Sequence, residues 1–178
     1  LSGWDVSNVF DMWGIFLNSP NFTSDISDWD VSNAIDMKQL FQGASSFSGD
    51  ISAWDVSNVE NMHKMFHLNT TFDGDLSSWD VSNVADMSQL FDGASSFSGN
   101  ISAWDVSNVD NMQGMFNQAT SFDGDISSWD VSNVTNMGNM FRQASAFNKD
   151  ISSWDVSNVT EGFSGMFYGT NALSDYIK

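Results

Sequence analysis

Seven aspartates at a constant spacing are the residues of this chain best suited to chemistry. Each lies in the string Trp-Asp-Val-Ser-Asn, and their carboxylates would lie about 5 Å apart if these strings stack as neighbouring strands. Like charges at that distance repel each other, so hydrogen bonds or cations must offset the repulsion. This first acidic column consists of Asp5, Asp30, Asp55, Asp80, Asp105, Asp130 and Asp155.

Calcium is the cation that the first acidic column would bind. It takes roughly six to eight oxygen ligands, which two aspartates, a serine and water could supply, although no dense acidic loop of the EF-hand kind is present. The opposing interpretation is structural. In that case the serine two residues after each aspartate donates to its carboxylate, and solvent and counterions screen the remaining charge. The sequence leaves both interpretations open and indicates no other cofactor.

A second acidic column lies five residues before the first. Its member in the fourth unit is Asn100, which suggests that the charge there is dispensable. Asp and Asn are near-equivalent as caps of tight turns, so this column is predicted to cap turns, with calcium binding in the Asp-Gly turns as the alternative. The column consists of Asp25, Asp50, Asp75, Asn100, Asp125 and Asp150.

The elements that position these columns recur at one fixed spacing along the chain. Tryptophan opens each of seven strings, and self-similarity at a fixed period of about 20 to 50 residues is typical of stacked repeat proteins. We therefore predict one domain, residues 1–178, built of about seven turns. The units begin near Trp4, Trp29, Trp54, Trp79, Trp104, Trp129 and Trp154.

Each unit is predicted to open with a strand. The alternation of inward Trp54 and Val56 with outward Asp55 has the two-residue period of a strand. Asn58, which recurs in every unit, then leaves the strand at a tight bend. A stacked asparagine there is expected to satisfy backbone groups of its own unit and of its neighbour.

A short helix is predicted to follow the strand. Met62, Met65 and Phe66 follow the spacing of one helical face, with Asn61 and its equivalents as N-caps. The fold class predicted is a leucine-rich-repeat-like α/β solenoid, in which one parallel strand plus a short helix form each 25-residue turn.

The last unit departs from the pattern. Val134 and Val159 keep the regular spacing of the repeat, whereas Phe167 falls one position later than the spacing from Phe141 requires. This shift indicates one inserted residue near Glu161-Gly162. Leu173 and Ile177 then replace the expected phenylalanine and isoleucine. Residues 160–178 are interpreted as an atypical terminal unit.

The first unit carries Phe10, Trp13 and Leu17 where later units mostly have polar or small residues. Exposed apolar clusters often mark interfaces, so these three residues are the candidate partner-binding site. The alternative is that they cover the end of the stack.

Composition narrows the classes of function. Five Lys and Arg against 23 Asp and Glu give a net charge of -18, which opposes binding to nucleic acid. There is no Cys, and no apolar run approaches the ~20 residues of a membrane span. An acid–base pair needs two unlike environments, whereas the repeated columns make theirs alike. The chain is therefore predicted not to be an enzyme.

The unit Trp-Asp-Val-Ser-Asn-Val-x-Asn-Met-x-x-Met-Phe-x-x-Ala-x-x-Phe-x-x-Asp-Ile-Ser is clearest at residues 104–127 and 129–152. It resembles the BspA-like surface repeat family of bacterial surface proteins. That resemblance implies a leucine-rich-repeat-like array on a secreted or surface-anchored protein, and adhesion as its function. It supplies no catalytic residues.

Two functions are therefore expected to compete. One is a secreted or cell-surface adhesion module that binds a protein or glycan on another cell or matrix. The other is a structural spacer or assembly unit that contacts another copy of itself, stiffened by calcium along the acidic columns. Binding through a definable surface would favour the first, and association through the ends would favour the second.

Overall fold

A computed structural model describes residues 1 and 3–170 as a stack of 25-residue units. Successive units meet in parallel at single isolated bridges, which join Asp11 to Asp36, Asp36 to Asn61, and so on to Asn136 and Glu161. No helix and no extended strand occurs among the described residues. The prediction of a leucine-rich-repeat-like α/β solenoid, with one strand and one helix per turn, is therefore wrong.

Tight turns replace the predicted strand. In the third unit the Trp54 N–H donates to the Ile51 carbonyl at 3.1 Å, and the Val59 N–H donates to the Val56 carbonyl at 2.9 Å. Asp-x-Ser at the start of a turn favours this outcome, because the aspartate accepts from the backbone two residues later. Trp54 and Val56 are buried, as predicted. The backbone that carries them forms turns and not the predicted strand.

An alternating coil replaces the predicted helix. The N–H groups of Met62, Lys64, Phe66 and Leu68 donate to carbonyls of the following unit, whereas those of Met65, His67 and Asn69 close turns to the residue three positions earlier. An α-helix would direct each N–H to the carbonyl four residues earlier. Here every second N–H bonds to the next unit instead. The bonds in this segment all run one way, with each unit donating to the unit after it.

Two positions in each unit have left-handed backbone conformations, which interrupt any helix. The first left-handed column is Gly14, Gln39, Lys64, Gln89, Gly114, Asn139 and Gly165. The second left-handed column is Asn18, Gly43, Leu68, Gly93, Gln118, Gln143 and Gly169. A left-handed residue other than glycine costs roughly 1–2 kcal/mol, so these positions hold their conformation because the bonds between units impose it.

Replacement of Gly93 tests this backbone. Gly93 has a φ of +72°, and an added Cβ would lie 2.8 Å from Leu68 Cδ2. We expect Gly93→Ala to lower the free energy of unfolding by about 1 kcal/mol, because the cost of the left-handed region exceeds the stabilisation that alanine gives by reducing the conformational entropy of the unfolded chain. Chemical denaturation measures the change. Gly3→Ala is the matched control, since nothing lies within 4 Å of an added Cβ there; equal effects of the two substitutions would contradict the explanation.

Aromatic ladders fill the core. In each of the first six units two phenylalanines stack 3.9–4.3 Å apart between ring centroids, and equivalent rings of neighbouring units lie 5.5–6.4 Å apart. From Trp54 to Trp154 the indole N–H donates to a carbonyl 28 residues earlier, at 2.9–3.3 Å. Met62, Met65 and Phe66 are fully buried, as their spacing predicts.

Asparagine side chains add a ladder at the surface. The Asn58 amide donates to the Ser32 carbonyl of the preceding unit at 2.8 Å, and Asn83 donates to Ser57 at 2.7 Å. The same bond recurs from Asn33 to Asn158. The backbone group at the bend is thus satisfied between units, which is the role expected for this recurring asparagine.

The hydrogen-bond register changes in the last unit. The Met137 N–H donates to the Glu161 carbonyl, whereas the Phe141 N–H donates to the Met166 carbonyl, so the donor and the acceptor lie one position further apart. The extra residue therefore lies between Glu161 and Met166. Gly162 lies there with a φ of +116°, and a Cβ on it would collide with the Gly138 backbone. The predicted roles of Leu173 and Ile177 lie outside the described residues.

Candidate functional site

Each aspartate of the first acidic column caps its own turn. Asp5 Oδ1 accepts the Ser7 hydroxyl at 2.6 Å and the Ser7 N–H at 3.0 Å. Asp30 and Asp55 accept the same two groups from Ser32 and Ser57. Asp80, Asp105, Asp130 and Asp155 accept the backbone N–H of the serine two residues later. The column is exposed, and its serine partners belong to the same unit.

These hydrogen bonds favour the charged carboxylates. The Ser7 hydroxyl and then the Ser7 N–H lower the pKa of Asp5. The Ser157 hydroxyl and N–H lower the pKa of Asp155, and the charge of Asp130 opposes them weakly. Asp130 and Asp155 therefore repel each other, but the donors within the turn of Asp155 outweigh that repulsion.

Calcium binding at the first acidic column remains a prediction. One carboxylate oxygen of each aspartate is already engaged by its turn. Among the described residues, no group of three or more His, Cys, Asp or Glu is arranged to hold a metal ion. The geometry described here is that of an Asp–Ser hydrogen-bond ladder.

Thermal unfolding with excess calcium and with a chelator, at one ionic strength, tests whether the first acidic column binds calcium. We expect the same melting temperature in both, because the turns already supply hydrogen bonds to the carboxylates. A ligand present at about 100 times its dissociation constant would stabilise the fold by ~2.7 kcal/mol, which is several degrees for a chain of this size. A rise of that size would make the first acidic column a calcium site.

The second acidic column also caps turns, as predicted. Asp25 Oδ1 accepts the Ser27 N–H and hydroxyl at 3.0 and 2.7 Å. Asn100 Oδ1 accepts the Ser102 N–H at 3.1 Å, so the amide replaces the carboxylate in the same role. The column therefore depends on an oxygen acceptor and does not require a charge.

The predicted helix N-caps cap a different structure. Asp36 Oδ1 accepts the Lys38 N–H at 2.8 Å, and Asn61 Oδ1 accepts the His63 N–H at 2.9 Å. These residues also form the parallel bridges between units. The predicted capping hydrogen bond is therefore present. The segment that it caps is the alternating coil and not a helix, because alternate N–H groups after the cap bond to the next unit.

The candidate partner-binding residues differ in their exposure. Phe10 and Trp13 are 58% and 56% exposed, whereas Leu17 is half-buried. Phe10 adjoins Ile35, which is also exposed and whose N–H donates to the Phe10 carbonyl. The Trp13 indole donates to Gln39 at 2.6 Å, and the Lys38 ammonium lies 5.3 Å from its ring centroid. The exposed patch therefore extends to the second unit.

An open groove runs along five units of the stack. It is shallow, has a volume of about 610 Å³ and follows the second left-handed column. In four of these units the residue two positions further along, which carries a hydroxyl group, also lines the groove. The sequence does not predict this groove, because its lining positions have no apolar or charged pattern. Its lining residues are Leu68, Thr70, Gly93, Ser95, Gln118, Thr120, Gln143, Ser145 and Gly169.

Comparison with known families gives two matches to a family described as Mycoplasma protein of unknown function, DUF285. They cover residues 1–97 and 69–178 and together span the chain. The chain belongs to the DUF285 family. Comparisons with curated proteins and with solved structures find no match.

The DUF285 chain also contains a buried polar cluster that the sequence analysis missed. Asp92 is 5% exposed and accepts from Gln89 at 2.9 Å and from Asn117 at 2.8 Å. His67 Nδ1 lies 3.3 Å from Asp92 Oδ2. His63 contacts Ser88 at 2.6 Å, and burial lowers its pKa. Each histidine thus contacts the residue at the equivalent position of the fourth unit. Aligning adjacent units of the repeat would have predicted both pairs.

No described residue of the DUF285 chain lies in a helix that is long and apolar enough to cross a membrane.

Proposed function

We propose that the chain is a non-catalytic binding and adhesion module of a secreted or cell-surface protein. The groove along five units is the observation that supports it, because one partner lying along the stack could contact five successive units there. The resemblance of the unit to BspA-like surface repeats favours adhesion to a protein or glycan of another cell or matrix.

The roles of the recurring polar residues support a non-catalytic function. Aspartates and serines of both acidic columns hydrogen-bond to each other within their turns. General acid–base chemistry needs two groups whose environments push their pKa values apart. Here the hydrogen bonds lower the pKa of Asp30 and of Asp50 in the same direction and for the same reason.

Attachment of chain-coated beads to cells and extracellular matrix tests the proposal. We expect more attachment than with beads coated by the unfolded chain. Treating the target with protease or with glycosidases identifies the class of partner. Phe10→Glu with Trp13→Glu tests the exposed patch, and Gln118→Lys with Gln143→Lys tests the groove. Attachment to no cell or matrix surface above the unfolded control would refute the adhesion function.

An assembly or spacer unit is the second candidate. The one-way hydrogen bonds of the alternating coil favour it, because each unit donates to the unit after it and accepts from the unit before it. A further unit of the same kind would therefore add in one orientation. Sedimentation at increasing concentration distinguishes the two candidates: growing end-to-end oligomers support assembly, and a constant monomer refutes assembly by this chain.

A further inference from the structure

The groove is uncharged in a strongly acidic protein. The chain has a net charge of -18, yet none of the nine residues that line the groove carries a charge. Burying a charged ligand group against uncharged walls costs free energy unless the group is paired. The lining therefore favours a neutral ligand.

The backbone along the groove is already hydrogen-bonded. The N–H groups of Leu68, Gly93 and Gln118 donate to the following unit at 2.7–2.8 Å. The carbonyls of Thr70 and Ser95 accept hydroxyls of later units, from Ser96 at 2.7 Å and Thr120 at 3.3 Å. An extended peptide adds to a protein edge through free backbone donors and acceptors. These walls leave few such groups, which disfavours a peptide strand as the occupant.

Side chains provide the remaining recognition groups. Within the described residues, the amides of Gln118 and Gln143 and the hydroxyl of Thr70 have no hydrogen-bond partner. A glutamine amide both donates and accepts. Leu68, the threonine methyl groups and the Gly93 backbone provide apolar contacts beside them. Hydroxyl-bearing rings with apolar C–H faces are the ligands that match this mixture.

We propose that the groove binds a neutral linear polysaccharide that lies along the stack, with about one sugar ring per unit. Parallel rungs repeat at about 4.8 Å, which is close to the advance of one pyranose ring in an extended chain. Five units line the groove, so about five rings would be bound. This assignment rests on the proposed binding function and names the partner for one of its surfaces.

Calorimetric titration with neutral oligosaccharides of increasing length tests the assignment. The probes are β-1,4-linked glucose, N-acetylglucosamine and mannose oligomers from dimer to octamer. We expect the affinity for at least one series to rise with length and to level off at about five rings. Absence of binding by every series, or an affinity independent of length beyond the dimer, would overturn the assignment.

Two variants locate the bound chain. Gln118→Ala removes a groove amide and should weaken binding about two- to tenfold, the usual range for one hydrogen bond. Gln113→Ala is the control, because Gln113 is an exposed residue of the same unit that does not line the groove. Equal effects of the two variants would overturn the location.

Removal of residues 101–125 deletes one whole unit, from Ile101 to Asp125, and shortens the groove. We expect the plateau length to fall by about one ring. Circular dichroism and cooperative unfolding identify a folded shortened chain, and an unchanged plateau in that chain would overturn the one-ring-per-unit register. Bead attachment without oligosaccharide binding would refute this inference and leave the adhesion function standing, whereas loss of both would refute both.

Discussion

Phe116→Ala is expected to lower the free energy of unfolding by about 3–5 kcal/mol. Phe116 is fully buried and stacks on Phe122 at 4.0 Å between ring centroids. It also lies 5.8 Å from Phe91 and 5.7 Å from Phe141 in the neighbouring units. Its removal leaves a cavity and interrupts the ladder on both sides. Chemical denaturation and the melting temperature measure the loss.

The position of Phe116 predicts how the variant unfolds. In a stack whose units contact only their neighbours, stability is approximately a sum of unit and interface terms. A cavity in the fifth unit weakens two interfaces, so we expect a broader transition in which the parts on either side unfold separately. Phe10→Ala is the control, because Phe10 is 58% exposed and a surface change of this kind usually costs under ~0.5 kcal/mol. A loss below about 1 kcal/mol for Phe116→Ala would contradict the ladder as the main core, since a large buried ring normally costs more.

Acid is expected to unfold the chain in a salt-dependent manner. Hydrogen bonds from the serine two residues later lower the pKa in ten aspartates: Asp5, Asp25, Asp30, Asp50, Asp75, Asp80, Asp125, Asp130, Asp150 and Asp155. A lowered folded-state pKa stabilises the fold above the ordinary value of about 3.9. That stability is lost as the pH falls through the folded-state pKa.

Repulsion among the carboxylates acts in the opposite direction. Protonation reduces the net charge of -18 and so relieves self-repulsion, which salt screens. In high salt we expect a constant melting temperature from pH 7 to about 5 and a steep fall below about 4. In low salt the melting temperature should first rise as the pH falls and then decrease. Replacing Asp25, Asp50 and Asp75 by Asn should make the fall of the melting temperature at acid pH less steep. An unchanged fall would show that protonation of these three aspartates does not cause it.

The period, the core and the turn caps could be predicted from the sequence. The constant spacing of the tryptophans identified the units, and buried residues such as Met62, Met65 and Phe66 lie where their spacing placed them. The turn caps of the second acidic column could be predicted because their hydrogen bonds are local, within two residues. Features that depend on short-range geometry or on the repeat itself could therefore be predicted from the sequence.

The backbone between these residues could not be predicted. The spacing of Met62, Met65 and Phe66 fits one face of a helix and also fits the alternating coil. What decides between them is the acceptor of the N–H groups, which lies in the following unit. Lys64 and Leu68 have left-handed conformations without the glycine that usually signals them. The groove follows from that second position, so it could not be predicted either.

The orientation of the hydrogen bonds between units determines how the protein would respond to force. These bonds join each unit to its neighbour along the stack, so tension applied to the two ends acts on all interfaces in series and the weakest one opens first. Units would then detach in sequence, each releasing one repeat of the sequence, or about 85 Å of extended chain. An adhesive tether built in this way would lengthen in steps and dissipate a pull before its attachment fails.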